Sequence, residues 1–217
     1  MNNANLVVVV GVGPGVGAAV AKAFAQKGHP LLLISRSATN LEELAGSLRR
    51  LGAAVTTAVA DAATPGAVAD VISQIEEPVS ALVYNVAAFG GSLLTTDSVQ
   101  IRAANEVNLL SLISATKSAL PNLKAGSGMV LVTGGGFALH PNSDYGVLSV
   151  GKAMNRSASL LLAQELKPQH VRVATVIIAG TVAPGTPFDP DLIAQTYIQI
   201  FENADSAVET IFTGAAG

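Results

Sequence analysis

The sequence contains no cysteine and no tryptophan, and only 12% of its residues are charged. The absence of cysteine excludes disulfides, thiolate metal sites and cysteine nucleophiles together, and it gives no sign of an oxidising compartment. Basic side chains number 12 against 15 acidic ones, and no stretch supplies the clustered basic face that nucleic acids require. We therefore expect a cytoplasmic protein without a nucleic-acid partner.

Long uninterrupted hydrophobic runs are also missing, although 50% of the residues are hydrophobic. The uncharged run from Leu6 to Ala21 is broken by glycines and a proline and has no basic leading region. It therefore predicts neither a signal peptide nor a membrane span. The apolar content is enough for a sizeable core, and α/β folds often exceed about 200 residues as one unit. We predict a single domain over residues 1–217.

Short β-branched runs alternate with longer stretches rich in Ala and Leu. The runs predict strands at 6–10, 31–35, 54–59, 81–85, 129–133 and 171–178. The longer stretches predict helices at 15–27, 40–51, 65–76, 98–123, 144–166 and 190–202. The strand runs are apolar almost throughout, which is typical of parallel strands covered by helices on both faces. The sequence therefore predicts an α/β doubly wound, mainly parallel sheet.

A glycine-rich turn stands between the first predicted strand and the first predicted helix. A pyrophosphate at a helix N-terminus needs backbone N–H groups facing it and no Cβ in the way, which Gly11, Gly15 and Gly17 would provide. The alternative is a tight turn that binds no ligand. The predicted cofactor-binding residues of this turn are Gly11, Gly13, Gly15, Val16 and Gly17.

The end of the second predicted strand bears on the choice between two cofactors. A carboxylate there binds the ribose 2′-hydroxyl of NAD(H), whereas an arginine accommodates the 2′-phosphate of NADP(H). This sequence has Ser35, Arg36 and Ser37 there and no acid, which favours NADP(H) over NAD(H). The alternative is an ordinary exposed arginine. Asp61, at the end of the third strand, is placed to accept from the adenine amino group.

With these motifs in order, the chain resembles the short-chain dehydrogenase/reductase family over essentially its whole length. The family's glycine turn matches Gly11, Gly15 and Gly17, and its adenine-site aspartate matches Asp61. The resemblance implies a Rossmann-type domain with a seven-stranded, mainly parallel sheet. It also implies an NADP(H)-dependent oxidoreductase that acts on a small carbonyl or alcohol substrate.

Further family positions match one residue at a time. The family's Asn-Asn-Ala-Gly stretch after the fourth strand is similar to the segment that contains Asn85 and Ala87, and its catalytic asparagine is similar to Asn108. Its Pro-Gly segment after the sixth strand corresponds to Ala179-Gly180, which places the backbone of Val182 near the nicotinamide amide. Taken alone, Asn108 is equally well interpreted as a buried helix asparagine.

The sequence departs from the family where the proton chemistry resides. Lys152 occupies the lysine position of the Tyr-x-x-x-Lys pair, but Leu148 stands at the tyrosine position and Gly135 at the serine position. A hydride delivered to a carbonyl leaves an alkoxide that must receive a proton, and leucine cannot supply one. The resemblance still implies that Lys152 holds the nicotinamide ribose; the alternative is a solvated helix lysine.

Tyr145 is the nearest remaining phenol, seven residues before Lys152 and thus ~10 Å away along a helix. We hypothesise that it is a displaced proton donor folded back by loop 141–144, although the pairing rule of four residues contradicts this. Ser149 is interpreted as orienting substrate or water, and Thr133 as a strand-end residue that caps the following turn. Two functions stay open: an oxidoreductase with a non-standard proton donor, and an NADP(H)-binding sensor or structural subunit without turnover.

Metal chemistry is not expected, because no pair of the three histidines has metal-ligand spacing. The family resemblance implies a homodimer or homotetramer formed through the helices at 98–123 and 144–166. The loop at 180–190 is rich in Gly and Pro, and we interpret it as a mobile lid over a site for a small-molecule substrate.

Overall fold

The computed structural model describes residues 4–214. One sheet has the strand order β3-β2-β1-β4-β5-β6-β7, and every neighbouring pair runs parallel. Its strands are β1 (Leu6–Val10), β2 (Leu31–Ser35), β3 (Val55–Val59), β4 (Val79–Tyr84), β5 (Met129–Gly135), β6 (Arg172–Ile178) and β7 (Glu209–Phe212). The predicted α/β Rossmann-type fold with a seven-stranded parallel sheet is confirmed.

Helices cover both faces of this sheet. They are α1 (Val16–Gln26), α2 (Ala38–Arg50), α3 (Ala67–Ser73), α4 (Ser98–Asn105), α5 (Ser111–Ala125), α6 (Gly146–Leu166) and α7 (Pro190–Glu202). Helices α1, α2 and α7 pack on one face, and α3, α5 and α6 on the other. Strand β1 shows why the strand runs are apolar throughout, because Val7 and Val9 enter the first core while Val8 and Val10 enter the second.

The predicted helix at 98–123 is wrong as a single α-helix. A π-helical turn, Glu106–Leu110, separates α4 from α5, and α5 ends at Ala125. In an α-helix the carbonyl of Ala104 would accept from the backbone N–H of Asn108. Here that carbonyl accepts from the side-chain Nδ2 of Asn108 at 2.9 Å. The side chain thus competes with the helical backbone and places Asn108 in the irregular turn.

Two strand ends also differ from the prediction. Strand β5 continues beyond Thr133 to Gly135, while β4 ends at Tyr84, so that Asn85 is the first residue after it. Strand β3 ends at Val59 as predicted, so Asp61 lies two residues beyond the strand and not at its end. The extended β5 carries a pair of glycines to the edge of the sheet where the other functional candidates lie.

Strand β7 had not been located from the sequence, because it is short and only half-buried at the sheet edge. A two-point ion pair fastens it to α6: Nε of Arg156 donates to Oε2 of Glu209 at 2.5 Å, and Nη2 donates to Oε1 at 2.8 Å. The arginine holds the pKa of the Glu209 carboxyl below its usual value. Pairing between residues 53 positions apart therefore completes the sheet.

Residues 4–214 contain neither a candidate membrane span nor a candidate metal cluster. No helix in that range combines the length and the apolar character that crossing a bilayer requires. Nor do His, Asp and Glu side chains of the same residues gather in threes around a point where a metal ion could bind.

Candidate functional site

The candidate residues gather at the carboxyl edge of the sheet. Strand β1 pairs with β2 on one side and with β4 on the other, so the order of strands reverses direction at β1. In open parallel sheets the crevice outside the strand ends at such a reversal is the usual ligand site. The glycine turn follows β1 there, and the loop that begins with Asn85 follows β4.

Two glycines of the turn are required by packing. Gly11 has a φ of +87°, and a Cβ on it would collide with the carbonyl of Asn85. A Cβ on Gly17 would lie 2.5 Å from the carbonyl oxygen of Gly11, so this glycine lets α1 approach β1. The side-chain Nδ2 of Asn85 donates to that same oxygen at 2.9 Å. Asn85 therefore braces the turn.

The other two glycines face open space. A Cβ on Gly13 or on Gly15 would meet no atom within 4 Å. The backbone N–H groups of Val16 and Gly17, at the start of α1, have no acceptor among residues 4–214. Unpaired N–H groups at a helix start below open space form a cradle that fits a pyrophosphate group.

The end of β2 presents a cation without an acid beside it. Ser35 is half-buried and Arg36 exposed, and no acceptor in the described range bonds to the Arg36 guanidinium. Ser37 begins α2, where its Oγ accepts from the backbone N–H of Asn40. On the next strand end, Oδ1 of Asp61 accepts from the N–H of Ala63 at 2.9 Å, which fixes that carboxylate at the edge of the crevice.

Lys152 lies buried between α6 and the end of β5. Its side chain is 7% exposed, and its Nζ donates to the carbonyl oxygen of Thr133 at 2.8 Å. Burial lowers the pKa of the Lys152 ammonium to about 8. The alternative of a solvated helix lysine is therefore wrong. The predicted capping role of Thr133 is also wrong, because its Oγ1 is hydrogen-bonded to the Tyr197 hydroxyl at 2.6 Å.

The π turn brings Asn108 against the same helix. Asn108 is fully buried, and only a glycine at position 151 of α6 leaves room for its amide. Its Oδ1 has no hydrogen-bond partner in the described part of the chain. Asn155, three residues after Lys152, donates from Nδ2 to the backbone carbonyl of Asn108 at 3.4 Å. Asn155 is not among the residues that the sequence predicts for the site, although its spacing of three from Lys152 places both on one face of α6.

Tyr145 lies directly before α6. Its ring stacks on Phe137 with a centroid distance of 5.1 Å and an interplanar angle of 20°. No protein group in the described range bonds to its hydroxyl. The Ser149 hydroxyl, by contrast, accepts from the N–H and donates to the carbonyl of Asn142. Ser149 therefore holds the preceding loop in place.

The segment after β6 is fastened by its own hydrogen bonds. The N–H of Gly185 donates to Oδ2 of Asp189 at 2.6 Å, and the Phe188 ring covers Gly180 so closely that a Cβ there would collide with it. Val182 projects from this segment with an exposed side chain. These contacts hold the segment in a turn, and its interpretation as a mobile lid over a site stays a prediction.

Comparison with known proteins identifies the family. Residues 5–191 match the short chain dehydrogenase family model. The chain belongs to the short-chain dehydrogenase/reductase family.

Curated relatives agree with this assignment. An uncharacterised oxidoreductase of Mycobacterium tuberculosis is 29% identical over 184 residues, which cover 82% of this chain and 68% of the relative. A hydroxysteroid 11-beta-dehydrogenase 1-like protein of Bos taurus is 30% identical over 80% of this chain and 63% of its own length. The chain thus spans about two thirds of the length of these curated relatives.

Solved structures share the fold. An alcohol dehydrogenase of Thermococcus sibiricus, complexed with 5-hydroxy-NADP, has a TM-score of 0.85 at 24% identity and covers 96% of both chains. A metagenomic short-chain oxidoreductase in complex with NADP has a TM-score of 0.87 at 22% identity, over 98% of this chain and 97% of that one. The arrangement of strands and helices is therefore that of this dehydrogenase family.

The residues that the family resemblance aligns with its serine and its tyrosine are Gly135, at the end of β5, and Leu148, on the same helix as Lys152. A Cβ on Gly135 would touch the Lys152 methylenes at 3.5 Å, which is ordinary van der Waals contact. Leu148 is buried one helical turn before Lys152. The Lys152 ammonium is thus buried, and the Thr133 carbonyl is the acceptor found for it among the described residues, so that burial lowers its pKa.

A pH-dependent contribution of Lys152 to stability follows. Its pKa in the folded chain, about 8, lies below the ordinary value of 10.5, so the unfolded chain binds more protons between those two pH values. The free energy of unfolding should therefore rise with pH across this interval, by up to about 3 kcal/mol. Urea denaturation of the parent and Lys152→Met chains at pH 7 and pH 10 measures the effect. A parent-minus-variant difference that stays constant with pH would contradict it.

Proposed function

We propose that this chain is an NADP(H)-dependent oxidoreductase that acts on a small carbonyl or alcohol substrate. The observation that carries the proposal is the turn after β1, where two glycines are open and the N–H groups of Val16 and Gly17 lack acceptors. The unpaired Arg36 on the neighbouring strand end supports the preference for NADP(H) over NAD(H). We further propose that residues 1–217 act as one cofactor-binding domain.

Bound NADP(H) supplies the hydride, and the side chains around it hold its parts. In this proposal the start of α1 binds the pyrophosphate, while Ser35 and Arg36 bind the 2′-phosphate. Lys152 holds the nicotinamide ribose through its ammonium. The remaining contacts are assigned to Asp61 at the adenine and to Asn85, Ala87 and Val182 along the crevice.

The proton donor is the part of the proposal that departs from the family pattern. Asn108 and Lys152 lie together beneath the carboxyl edge of β5, and Tyr145 provides the free phenol at the start of the same helix. We assign the proton-donor role to the Tyr145 hydroxyl, since Leu148 carries no acidic hydrogen. For that role the Tyr145 hydroxyl must lie within reach of the substrate oxygen while its ring stays stacked on Phe137.

A second function is favoured by a specific observation. Gly135 and Leu148 stand at the family's serine and tyrosine positions; a Cβ on Gly135 would touch the Lys152 side chain, and Leu148 lies one turn before Lys152 on α6. In this proposal the chain keeps a lysine that binds the cofactor but has no serine or tyrosine at the positions that usually transfer the proton. A chain of this kind would act as an NADP(H)-binding sensor or structural subunit without turnover.

Titration with the two nucleotides tests the cofactor assignment. NADPH should bind at least roughly tenfold more tightly than NADH, because Arg36 pairs with the 2′-phosphate. Arg36→Ala should remove this difference, whereas Arg50→Ala, at an exposed arginine of α2, should leave it unchanged. Nicotinamide fluorescence measures both dissociation constants.

A carbonyl screen then separates the two functions. Loss of nicotinamide absorbance that falls strongly in Tyr145→Phe supports the oxidoreductase with Tyr145 as donor. NADPH binding without any turnover supports the sensor or structural subunit. Failure to bind either nucleotide contradicts both.

We also propose self-association as a homodimer or homotetramer. Val99 of α4, Leu110 of the π turn, and Val150 and Leu161 of α6 are exposed although apolar. Burying them against a second copy would remove this apolar surface from water. Multi-angle light scattering should accordingly give a mass of two or four chains.

A further inference from the structure

The aromatic side chains of this protein fall into two groups. Of its six phenylalanines and three tyrosines, six pack within or against the two cores: Phe24, Tyr84, Phe188, Tyr197, Phe201 and Phe212. The other three, Phe89, Phe137 and Tyr145, belong to neither core and lie at the carboxyl edge of the sheet. In a chain with only 4% aromatic residues, this placement calls for a reason other than core packing.

Two of these rings form a flat, half-open surface beside the proposed reaction site. Phe137 lies in the 3₁₀ turn Gly136–Ala138 that follows β5, and Tyr145 lies directly before α6, which carries Lys152. Their rings are nearly parallel at an interplanar angle of 20°, and Tyr145 is 48% exposed. A stacked pair with one open face is suited to bind a further flat ring, because aromatic groups pack best in offset stacks.

The loop after β4 extends this apolar surface. The backbone N–H of Val147 donates to the carbonyl of Gly91 at 3.0 Å, which pins the loop to the first turn of α6 beside Tyr145. Leu93 packs against Gly146 in the same turn. The same loop leaves Phe89 79% exposed and Leu94 97% exposed. This loop thus exposes large apolar side chains to solvent and is joined to the helix turn that follows Tyr145.

The charge around the pair is unfavourable for anions. Neither segment 85–97 nor segment 136–148 contains a lysine or an arginine. Asp144, next to Tyr145, is exposed and carries the opposite charge. An uncharged ligand therefore fits this surface better than a carboxylate or a phosphate ester.

We propose that Phe137 and Tyr145 form an aromatic wall that selects uncharged, ring-bearing ketones or secondary alcohols as substrates. The inference rests on the proposed oxidoreductase function, since Tyr145 of this wall is also the residue assigned to proton transfer. The ring stacks on the exposed face of Tyr145, and the adjoining carbonyl points toward Lys152 and the crevice. The wall thereby determines the substrate class.

Ligand binding tests the wall independently of turnover. Acetophenone and 2-octanone have the same number of carbon atoms, but only the first has a ring. Saturation-transfer NMR of each ketone, with the NADPH-loaded chain and with the free chain, should give acetophenone an affinity about fivefold to tenfold higher. Benzoylformate, the anionic analogue, should bind more weakly than acetophenone.

Three variants separate the contribution of the aromatic rings to ketone binding from the contribution of the Tyr145 hydroxyl to turnover. Tyr145→Leu and Phe137→Leu should each weaken acetophenone binding about fivefold and leave 2-octanone nearly unchanged. Tyr145→Phe retains the ring, so it should bind acetophenone as the parent does, even though its turnover falls. Melting curves confirm that each variant is folded.

The outcomes also distinguish this inference from the proposed function. Equal binding of both ketones, or acetophenone binding that survives both leucine substitutions, overturns the aromatic wall. The NADPH titration of the same proteins reports on the cofactor site alone. Unchanged NADPH binding together with lost acetophenone discrimination supports the wall, whereas lost NADPH binding in the parent contradicts the oxidoreductase function itself.

Discussion

Alanine at Gly11 is expected to destabilise the fold strongly, whereas alanine at Gly15 is expected to weaken NADPH binding at least roughly tenfold in a folded chain. Gly11 combines a φ of +87° with a Cβ position occupied by the Asn85 carbonyl. Left-handed backbone and steric overlap together cost about 3 kcal/mol or more. For a chain of this length such a loss lowers the melting temperature by roughly 10 °C.

The Gly15→Ala variant tests whether the same turn binds the phosphates of NADPH. A Cβ there meets no protein atom within 4 Å, so the melting temperature should stay close to that of the parent. The same Cβ would intrude on the open space above the start of α1. NADPH affinity should therefore fall at least roughly tenfold, because the N–H groups of Val16 and Gly17 lose access to the phosphates.

Gly28 supplies the matched control for backbone strain. Its φ is +84°, close to that of Gly11, but its Cβ position is free of neighbours. Gly28→Ala should cost only about 1 kcal/mol, the strain of the left-handed backbone alone. Thermal denaturation and NADPH fluorescence of the three variants test the scheme. Equal destabilisation at Gly11 and Gly28, or full NADPH binding by Gly15→Ala, would refute it.

Combining Gly135→Ser with Leu148→Tyr is expected to raise ketone reduction by at least ~100-fold, the usual contribution of a positioned general acid. The serine fits, because a Cβ at position 135 makes ordinary contact with the Lys152 methylenes. A phenol at position 148 stands four residues before Lys152, on one helix face. The neighbouring ammonium would lower the pKa of that phenol and prepare it for proton transfer.

A phenylalanine version of this double variant controls for bulk. Gly135→Ser with Leu148→Phe has a ring of similar size at position 148 but no hydroxyl, so its rate should stay near that of the parent. The rates of NADPH oxidation with acetophenone and 2-octanone are compared at equal NADPH saturation. A double variant that folds and binds NADPH yet reduces neither ketone faster than the parent would contradict this prediction. It would show that a serine at position 135 and a tyrosine at position 148 are not sufficient for catalysis.

The strand and helix pattern could be predicted because its cause is local. Residues of β1 alternate between two buried faces, so Val7 through Val10 are all apolar, and the run predicts a doubly covered strand without knowledge of its neighbours. The glycine turn was predictable for a similar reason, since backbone sterics act within a few residues. The burial of Lys152 followed from the apolar character of its helix.

Other features required contacts between distant residues. The seventh strand depends on the pairing of Glu209 with Arg156 of α6. The π turn depends on the buried amide of Asn108, which packs over Gly151 of α6. No local pattern predicts such contacts, because each partner alone is compatible with several structures.

The division between sequence and tertiary structure is clearest at the candidate site. By itself the sequence determined a parallel α/β chain with a glycine-rich turn after its first strand, Arg36 and no acid after its second, and Leu148 four residues before Lys152, because these depend on residue type and spacing. Only the tertiary structure decided that Asn85 braces the turn and that Phe137 stacks on Tyr145. These contacts join loops from different strands, and only the packed sheet brings those loops together.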